Sequence, residues 1–113
     1  MAEMEEELFR GIIRNISRLM ILWILNREAY SGYGILKEMR RITGQNLHPG
    51  VIYPLLYELE DRKYISGKKV QRGRRLMTFY SITDKGTKLL NNFKELSTLP
   101  LGSVLQDFIG EQK

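Results

Sequence analysis

Few side chains in this sequence could support enzymatic chemistry. There is no cysteine and the only histidine is His48, so no thiolate nucleophile and no cluster of zinc-type ligands can form. Glycine-rich phosphate loops and carboxylate pairs set against a base are also absent from the sequence. The sequence therefore predicts neither an enzyme nor a metal site, and it implies no cofactor. We expect His48 to cap a helix or to contact a phosphate.

The charged residues indicate a polyanion as the partner instead. The net charge is +5, and from Arg62 to Lys88 nine basic residues stand against a single acid, Asp84. The acids gather in the N-terminal tail and within residues 58–61. Such an uneven distribution is typical of proteins that bind nucleic acid, although a solvated basic face would have the same composition.

Length and composition bound the class of protein. With 113 residues and 42% hydrophobic content, the chain is expected to form one globular domain. Its longest apolar run, 19–25, has seven residues, far fewer than the ~18 of a membrane span. The acidic N-terminus is unlike a signal peptide, so we expect a cytoplasmic protein with no membrane partner. Trp23 lies in the apolar run and is expected in the core, although it could also form a platform for an effector.

The segment of residues 48–60 has an unusual beginning. From Val51 onward its apolar residues share one helical face, yet two prolines and a glycine stand in its first turns. Pro49 suits the first position of a helix, whereas Pro54 removes a backbone hydrogen bond and crowds the carbonyl of Gly50. A glycine lets a DNA backbone come close, and the free amides of a helix N-terminus bind phosphate. We interpret this turn as a DNA-docking surface; the other interpretation is a kinked start to a core helix.

Hydrophobic periodicity places this helix in a longer series of elements. Residues 5–26 are helical in pattern, as one helix or as two if Ser17 caps a second one. A short helix follows, capped by Ser31 and ended at Gly44. The helix of about residues 49–62 is then the third in the series.

After the third helix the period changes from helical to alternating. Two predicted strands, 64–71 and 76–82, flank an arginine-rich turn. Thr83 then caps a helix whose apolar stripe is interrupted at 97–100 and resumes afterwards. This order predicts a mainly α fold with a small β-hairpin, namely a winged helix-turn-helix with extra N- and C-terminal dimerisation helices. In such a fold the third helix is the recognition helix.

Residues expected to contact DNA lie at the starts of the second and third helices and in the wing. The wing arginines flank a glycine turn and are expected at phosphates or in the minor groove. Tyr33 could contact phosphate or join the core, and Tyr53 could donate to phosphate or only pack. Lys68 and Lys69 alternate along a strand, so at most one faces the DNA. The predicted DNA-binding residues are Ser31, Tyr33, His48, Pro49, Gly50, Val51, Tyr53, Lys69, Arg72, Gly73, Arg74 and Arg75.

The predicted organisation is a single domain, 1–113, in three parts. Residues 1–17 form an N-terminal helix, 18–83 the winged helix-turn-helix with its wing at about 64–82, and 84–113 the C-terminal dimerisation helices. The outer helices carry more apolar surface than one small domain can bury, which predicts a homodimer. The residues expected in the dimer interface are Leu8, Phe9, Ile12, Ile13, Ile16, Leu89, Leu90, Phe93, Leu96, Leu101, Val104, Leu105, Phe108 and Ile109.

Four segments together carry a more specific pattern. They are GYGILKEM at 32–39, HPGVIYPLL at 48–56, GRR at 73–75 and FYSITDKG at 79–86. In these segments the sequence resembles the PadR-type transcriptional regulators, over about residues 19–96. The resemblance implies a dimeric winged-helix repressor that binds a pseudo-palindromic, double-stranded DNA operator, and some members of the family also bind a small-molecule effector.

The sequence departs from the family pattern at three positions. His48 stands where the family usually has Ser or Thr, and Val51 where it usually has Thr. Valine cannot hydrogen-bond a phosphate, although it could touch a thymine methyl. The break at Pro100 also departs from the family's single long C-terminal helix.

A different class of function is open to the same fold. A winged helix can serve as a protein-interaction module of a larger assembly without binding specific DNA. The basic wing argues against this alternative, and duplex binding that is lost at high salt would distinguish the two.

Overall fold

A computed structural model describes residues 2–96 and 98–110. Within these residues the expected mainly helical fold with a small β-hairpin is confirmed. No helix in the described part of the chain is both long enough and apolar enough to cross a membrane. The elements in chain order are α1 (Ala2–Leu25), β1 (Tyr30–Ser31), α2 (Gly32–Thr43), α3 (Pro49–Asp61), β2 (Ile65–Arg72), β3 (Arg75–Ile82), α4 (Asp84–Leu96) and α5 (Pro100–Gly110).

The N-terminal helix α1 is one continuous helix of 24 residues. Ser17 does not cap a second helix, because it lies inside α1 and is only 5% exposed. It shares the inward stripe of α1 with Ile21 and Leu25, which are four and eight residues further along. The boundary predicted after residue 17 therefore falls within a helix rather than between two.

The predicted caps of α2 and α4 are confirmed. The Ser31 hydroxyl accepts a hydrogen bond from the backbone N–H of Gly34 at 3.0 Å. Gly44 ends α2 in the left-handed conformation, with φ 68°. At α4, the Thr83 hydroxyl accepts from the N–H of Gly86 at 3.1 Å. Each bond satisfies an amide that the first turn of a helix would otherwise leave unpaired.

The sheet is antiparallel with strand order β1-β3-β2, and its β2–β3 hairpin is the wing. Arg72 pairs with Arg75, so the hairpin turn consists of Gly73 and Arg74. Gly73 has φ 63°, the positive value that a type II′ turn requires at its first central position. The wing therefore lies where the alternating pattern predicted it.

The third strand, β1, was not predicted. It has two residues, Tyr30 and Ser31, which pair with Tyr80 and Phe79 of β3. Two residues are too few to form an alternating pattern in a sequence. The pairing fixes the start of α2 beside the wing.

The core lies where α1, α2, α3 and the sheet meet. The predicted inward faces of α2 and α3 are buried in it, and Leu90 of α4 is buried too, at 4% exposure. The prediction of Leu90 as a dimer residue is therefore wrong, because α4 turns this side chain into its own subunit. The prediction of Trp23 as a core residue is also wrong, since its side chain is 38% exposed. The run around Trp23 is helical, so its apolar residues point in several directions and only some face the core.

Candidate nucleic-acid interface

The approach to α3 is held by α2. The Arg40 guanidinium donates from Nε and Nη2 to the carbonyl oxygen of Leu47 at 3.0 and 2.8 Å. His48 then occupies the N-cap position of α3, but its side chain makes no capping hydrogen bond. Of the two roles expected for His48, a phosphate contact is the one that the geometry leaves open. Sequence reasoning missed Arg40, since no local pattern reveals a bond across a turn.

The outer face of the first turn of α3 has nothing packed against it. A Cβ atom built on Gly50 would meet no atom within 4 Å. Val51 is 44% exposed, whereas Ile52, Leu55 and Leu56 behind it are buried. The fold thus requires neither a glycine at position 50 nor an apolar residue at position 51. This arrangement favours a docking surface over the kinked start of a core helix.

Beside this turn, a cleft of about 280 Å³ brings together Ser31, Tyr33 and Tyr53 with Tyr57. Tyr33 is 59% exposed, so the structure excludes the core role that its sequence position left open. The rings of Tyr53 and Tyr57 lie 6.3 Å apart between centroids. Partial burial, with smaller contributions from Tyr57 and Tyr33, raises the pKa of Tyr53 above its usual value of 10.0. A tyrosine hydroxyl is protonated at neutral pH with or without this shift, so the Tyr53 hydroxyl can donate to a phosphate.

The start of α2 packs directly on α3 through Gly32. A Cβ atom on Gly32 would come within 2.7 Å of Tyr53 Cε1, so only a glycine allows this approach without displacing the ring. Ser31 accepts its hydrogen bond from Gly34, and as the acceptor in that bond it keeps its own proton for a further acceptor. Gly32 is a positioning residue that sequence reasoning left out of the site.

The predicted wing residues Lys69, Arg72, Gly73, Arg74 and Arg75 are all exposed. The guanidinium of Arg72 lies 5.3 Å from the centroid of the Phe79 ring, which restrains it by a cation–π contact. The tip of the wing therefore presents several cations in a small area.

The strand register decides which lysine of the wing faces α3. Lys69 pairs with Thr78, on the same sheet face as Tyr80, whereas Lys68 lies on the other face. The Tyr80 face is the one turned toward α3, because Tyr80 lines the cleft together with Tyr53. Lys69 therefore lies on the sheet face that is turned toward α3, and its contact with DNA stays a prediction.

The second half of α3 is tied to the rest of the domain by its acids. Arg18 of α1 donates to both carboxylate oxygens of Glu58, at 2.7 and 3.2 Å. This contact lowers the pKa of the Glu58 carboxyl below its usual value. Glu60 accepts from the N–H of Gly67 in β2 at 3.2 Å, which links α3 to the wing. Sequence reasoning placed these acids away from DNA but did not find their partners.

The residues predicted for the dimer interface form exposed stripes on three helices. The α1 members and the described side chains on α5 are all at least half exposed, and Leu89, Phe93 and Leu96 of α4 are partly exposed. The side chain of Leu101 lies outside the described residues. Between α1 and α4, an entirely apolar cleft of about 290 Å³ includes Trp23 in its lining.

Comparison with known proteins assigns the family. The model of the Transcriptional regulator PadR-like family matches residues 21–92, well over half of the chain. The chain belongs to the PadR-like family. It accordingly has the winged-helix fold of a family whose members are transcriptional regulators and not enzymes, in agreement with the sequence prediction.

Individual relatives agree with this PadR-like assignment. The Transcriptional regulator YqjI of Escherichia coli K12 is 32% identical over 80 residues, which cover 69% of this chain and 37% of that protein. The chain thus spans little more than a third of that relative's length. The crystal structure of the transcriptional regulator TA0346 from Thermoplasma acidophilum has a TM-score of 0.76 and 29% identity, covering 88% of this chain and 96% of that chain.

One structural neighbour was solved in complex with DNA. It is Bacillus subtilis PadR in complex with operator DNA, with a TM-score of 0.64 and 26% identity. The match covers 69% of this chain and 46% of that chain. A PadR-like winged helix therefore binds operator DNA in that protein.

Proposed function

We propose that this PadR-like regulator is a homodimeric repressor that binds a pseudo-palindromic DNA operator. The first turn of α3 would enter the major groove, and the wing arginines would hold the adjacent phosphates or minor groove. The observation that carries this proposal is the open first turn, where Gly50 has no atom within 4 Å of its Cβ position. The operator complex of Bacillus subtilis PadR supports the same role for this fold.

The residues proposed to contact DNA lie at the starts of α2 and α3 and on the wing. Ser31 and Tyr33 start α2, His48 to Tyr53 start α3, and Lys69 lies on the wing face turned toward them. The amides at the start of α3 and the hydroxyls of the tyrosines are phosphate donors, and the side chains of His48 and Val51 would lie nearest the base edges. The valine side chain suits a thymine methyl group.

A homodimer accounts for the exposed apolar stripes. Phe108 and Ile109 of α5 are 72% and 70% exposed, and the stripe of α1 is exposed along its length. Soluble proteins rarely leave such an area uncovered, and a second copy would cover it by two-fold symmetry. The same symmetry would place two recognition helices about one DNA turn, ~34 Å, apart.

The dimer has its own test. A chain ending at Thr98 lacks α5, so it should dimerise more weakly and lose cooperative operator binding while it keeps non-specific DNA affinity. Light scattering measures the mass of both chains. A full-length chain that is monomeric at tens of micromolar would contradict the proposed architecture.

Repression requires no further surface on the molecule. A dimer bound across a promoter blocks access to it by occupancy alone. The relatives named above come from bacteria and an archaeon, whose DNA lies in the cytoplasm, and we place this regulator there as part of the same proposal.

Selection of bound sequences from a random duplex library tests the proposed function. We expect enrichment of an inverted repeat whose half-site centres lie about 10 base pairs apart, or a multiple of that. If no sequence is enriched, or if all duplexes are recovered equally at physiological salt, a protein-interaction module would be favoured instead. The full chain should be used, because the outer helices set the half-site spacing.

A further inference from the structure

A second basic surface lies beside the recognition helix, outside the predicted site. An open cleft of about 550 Å³ separates α1 from α3. Arg10, Arg14 and Arg18 line its α1 side, and their spacing of four residues places them on one face of that helix. The α3 side is lined by Gly50, Val51, Pro54, Leu55 and Glu58, and Ile13, which is also predicted for the dimer interface, lies between the arginines on the α1 side.

The two helices run in the same direction along this cleft. Arg18 of α1 binds Glu58 of α3 near one end of the cleft. Arg10 lies eight residues before Arg18, Gly50 lies eight residues before Glu58, and both line the same cleft. Eight residues of helix span about 12 Å on either side. Arg10 and Arg14 therefore lie toward the first turn of α3, at the end proposed to enter the groove.

The three arginines differ in how far they are already engaged. Arg18 is held by Glu58 and by Asn15, whose side-chain oxygen accepts from it at 2.8 Å. Arg10 reaches Glu6 at 3.7 Å, but both side chains are largely exposed, and such a pair exchanges readily. Arg14 is exposed and makes no hydrogen bond or ion pair with any described residue, and its charge is one of the smaller causes that lower the pKa of Glu58 in the same cleft. The arginine nearest the middle of the cleft is thus the most available one.

We propose that Arg14, assisted by Arg10, binds the phosphodiester backbone that flanks the groove entered by α3. The guanidinium group suits this ligand, because it can donate two parallel hydrogen bonds to one phosphate. The acids of α1 lie earlier, at residues 3–7, so the interaction weakens toward the N-terminus and Arg14 contributes more than Arg10. The interaction adds affinity without reading sequence. This inference depends on the DNA-binding function proposed above.

Salt titrations of duplex binding test the inference. Fluorescence anisotropy from about 50 to about 200 mM salt gives the slope of log affinity against log salt, which falls by ~0.9 for each phosphate that the protein no longer neutralises. Arg14→Ala should flatten the slope by the equivalent of one phosphate, and Arg10→Ala with Arg14→Ala by up to two. Arg27→Ala is the matched control, since it removes the same charge just beyond the other end of α1. It should leave the slope unchanged.

The outcomes separate this inference from the proposed function. A double variant with the wild-type slope, while the wild-type protein binds duplex, would overturn the arginine–phosphate interaction alone. An equal flattening in Arg27→Ala, or dissociation of the dimer in light scattering of the double variant, would overturn it as well. A wild-type protein that binds no duplex at all would overturn the proposed function, and the arginine–phosphate interaction with it. The expected result is a flatter salt slope for the double variant, with the melting temperature and the mass of the wild-type protein.

Discussion

The two halves of α3 differ in what surrounds them. In the first turn, Gly50 faces open space and His48 makes no capping bond. In the last turns, Glu58 is bound by Arg18 and Glu60 by the N–H of Gly67. The second half of the helix is thus held by polar contacts on its outer side, whereas the outer face of the first turn is open.

This difference allows α3 to be held rigidly while its first turn stays exposed. The acids of the second half would repel phosphate, yet they hold the helix against α1 and the wing. The buried apolar stripe that includes Ile52 and Leu56 fixes which face of α3 is turned toward the core. A fold that anchored the first turn in the same way would leave no surface for a ligand. We therefore expect changes in the two halves to act on different properties, binding in the first and stability in the second.

The largest effect is expected at Gly50. Gly50→Val should abolish duplex binding, because the added side chain would stand between the helix and the DNA backbone. Stability should change by no more than about 1 kcal/mol, since nothing lies near the new atoms. Anisotropy and thermal melting measure the two effects.

Gly86→Ala is the matched control for this prediction. A Cβ atom there would collide with the carbonyl oxygen of Tyr64, so Gly86→Ala should lower the free energy of unfolding by about 1–3 kcal/mol. It changes no residue that is proposed to contact DNA. Unfolding of Gly50→Val together with its loss of binding would favour the kinked core helix.

The wing should contribute affinity without sequence preference. Replacing Arg74 and Arg75 by alanine should weaken binding to all duplexes about equally and flatten the salt slope by roughly one unit per phosphate that the wing no longer neutralises. Arg27→Ala serves as the control, because it removes one positive charge at a residue that lies outside the wing. Retention of the wild-type slope in the arginine variant would exclude phosphate contacts by the wing.

In the anchored half, Arg18→Ala should lower the free energy of unfolding by about 1 kcal/mol, a modest value because the pair is about one-third exposed. The pKa of Glu58 is lowered in the folded state, so this stabilisation is present above the usual carboxyl pKa of 4.5 and lost as the pH falls through the folded value. Urea unfolding should therefore show a difference from wild type at pH 7 that shrinks in acid. Arg41→Ala breaks an exposed pair with Glu38 and should matter less. A difference that persists at pH 2 would rule out this ion pair as its source.

The smallest effect is expected where α3 joins the wing. Lys63 adopts φ 70°, a left-handed conformation that usually belongs to glycine at this position of a helix end. Lys63→Gly should stabilise the fold by about 0.5 kcal/mol, whereas Lys88→Gly in the interior of α4 should destabilise it by about 1 kcal/mol. Urea unfolding of both variants checks the opposite signs. Equal destabilisation would mean that Lys63 carries no strain.

Much of the fold could be predicted because it depends on local patterns. The inward faces of α2 and α3, the caps at Ser31 and Thr83, and the turn at Gly73 all follow from spacing or from single-residue preferences. The short strand at Tyr30 escaped prediction because two residues carry no period.

The interactions that complete the candidate site could not be predicted, because they join distant parts of the chain. Arg18 and Glu58 are 40 residues apart, and the approach of Gly32 to Tyr53 depends on how two helices cross. The errors at Leu90 and Trp23 have the same origin. Periodicity finds an apolar face but does not tell which of its residues turn toward the same subunit.

The division of α3 can be tested directly by NMR chemical shifts of the labelled protein as an operator duplex is added. We predict changes at residues 31–33, 48–51 and 72–75, while residues 58–62 keep their shifts. Changes centred on residues 58–62, or the absence of any change at 48–51 upon saturation, would contradict the proposed division between a free, DNA-binding half and an anchored half.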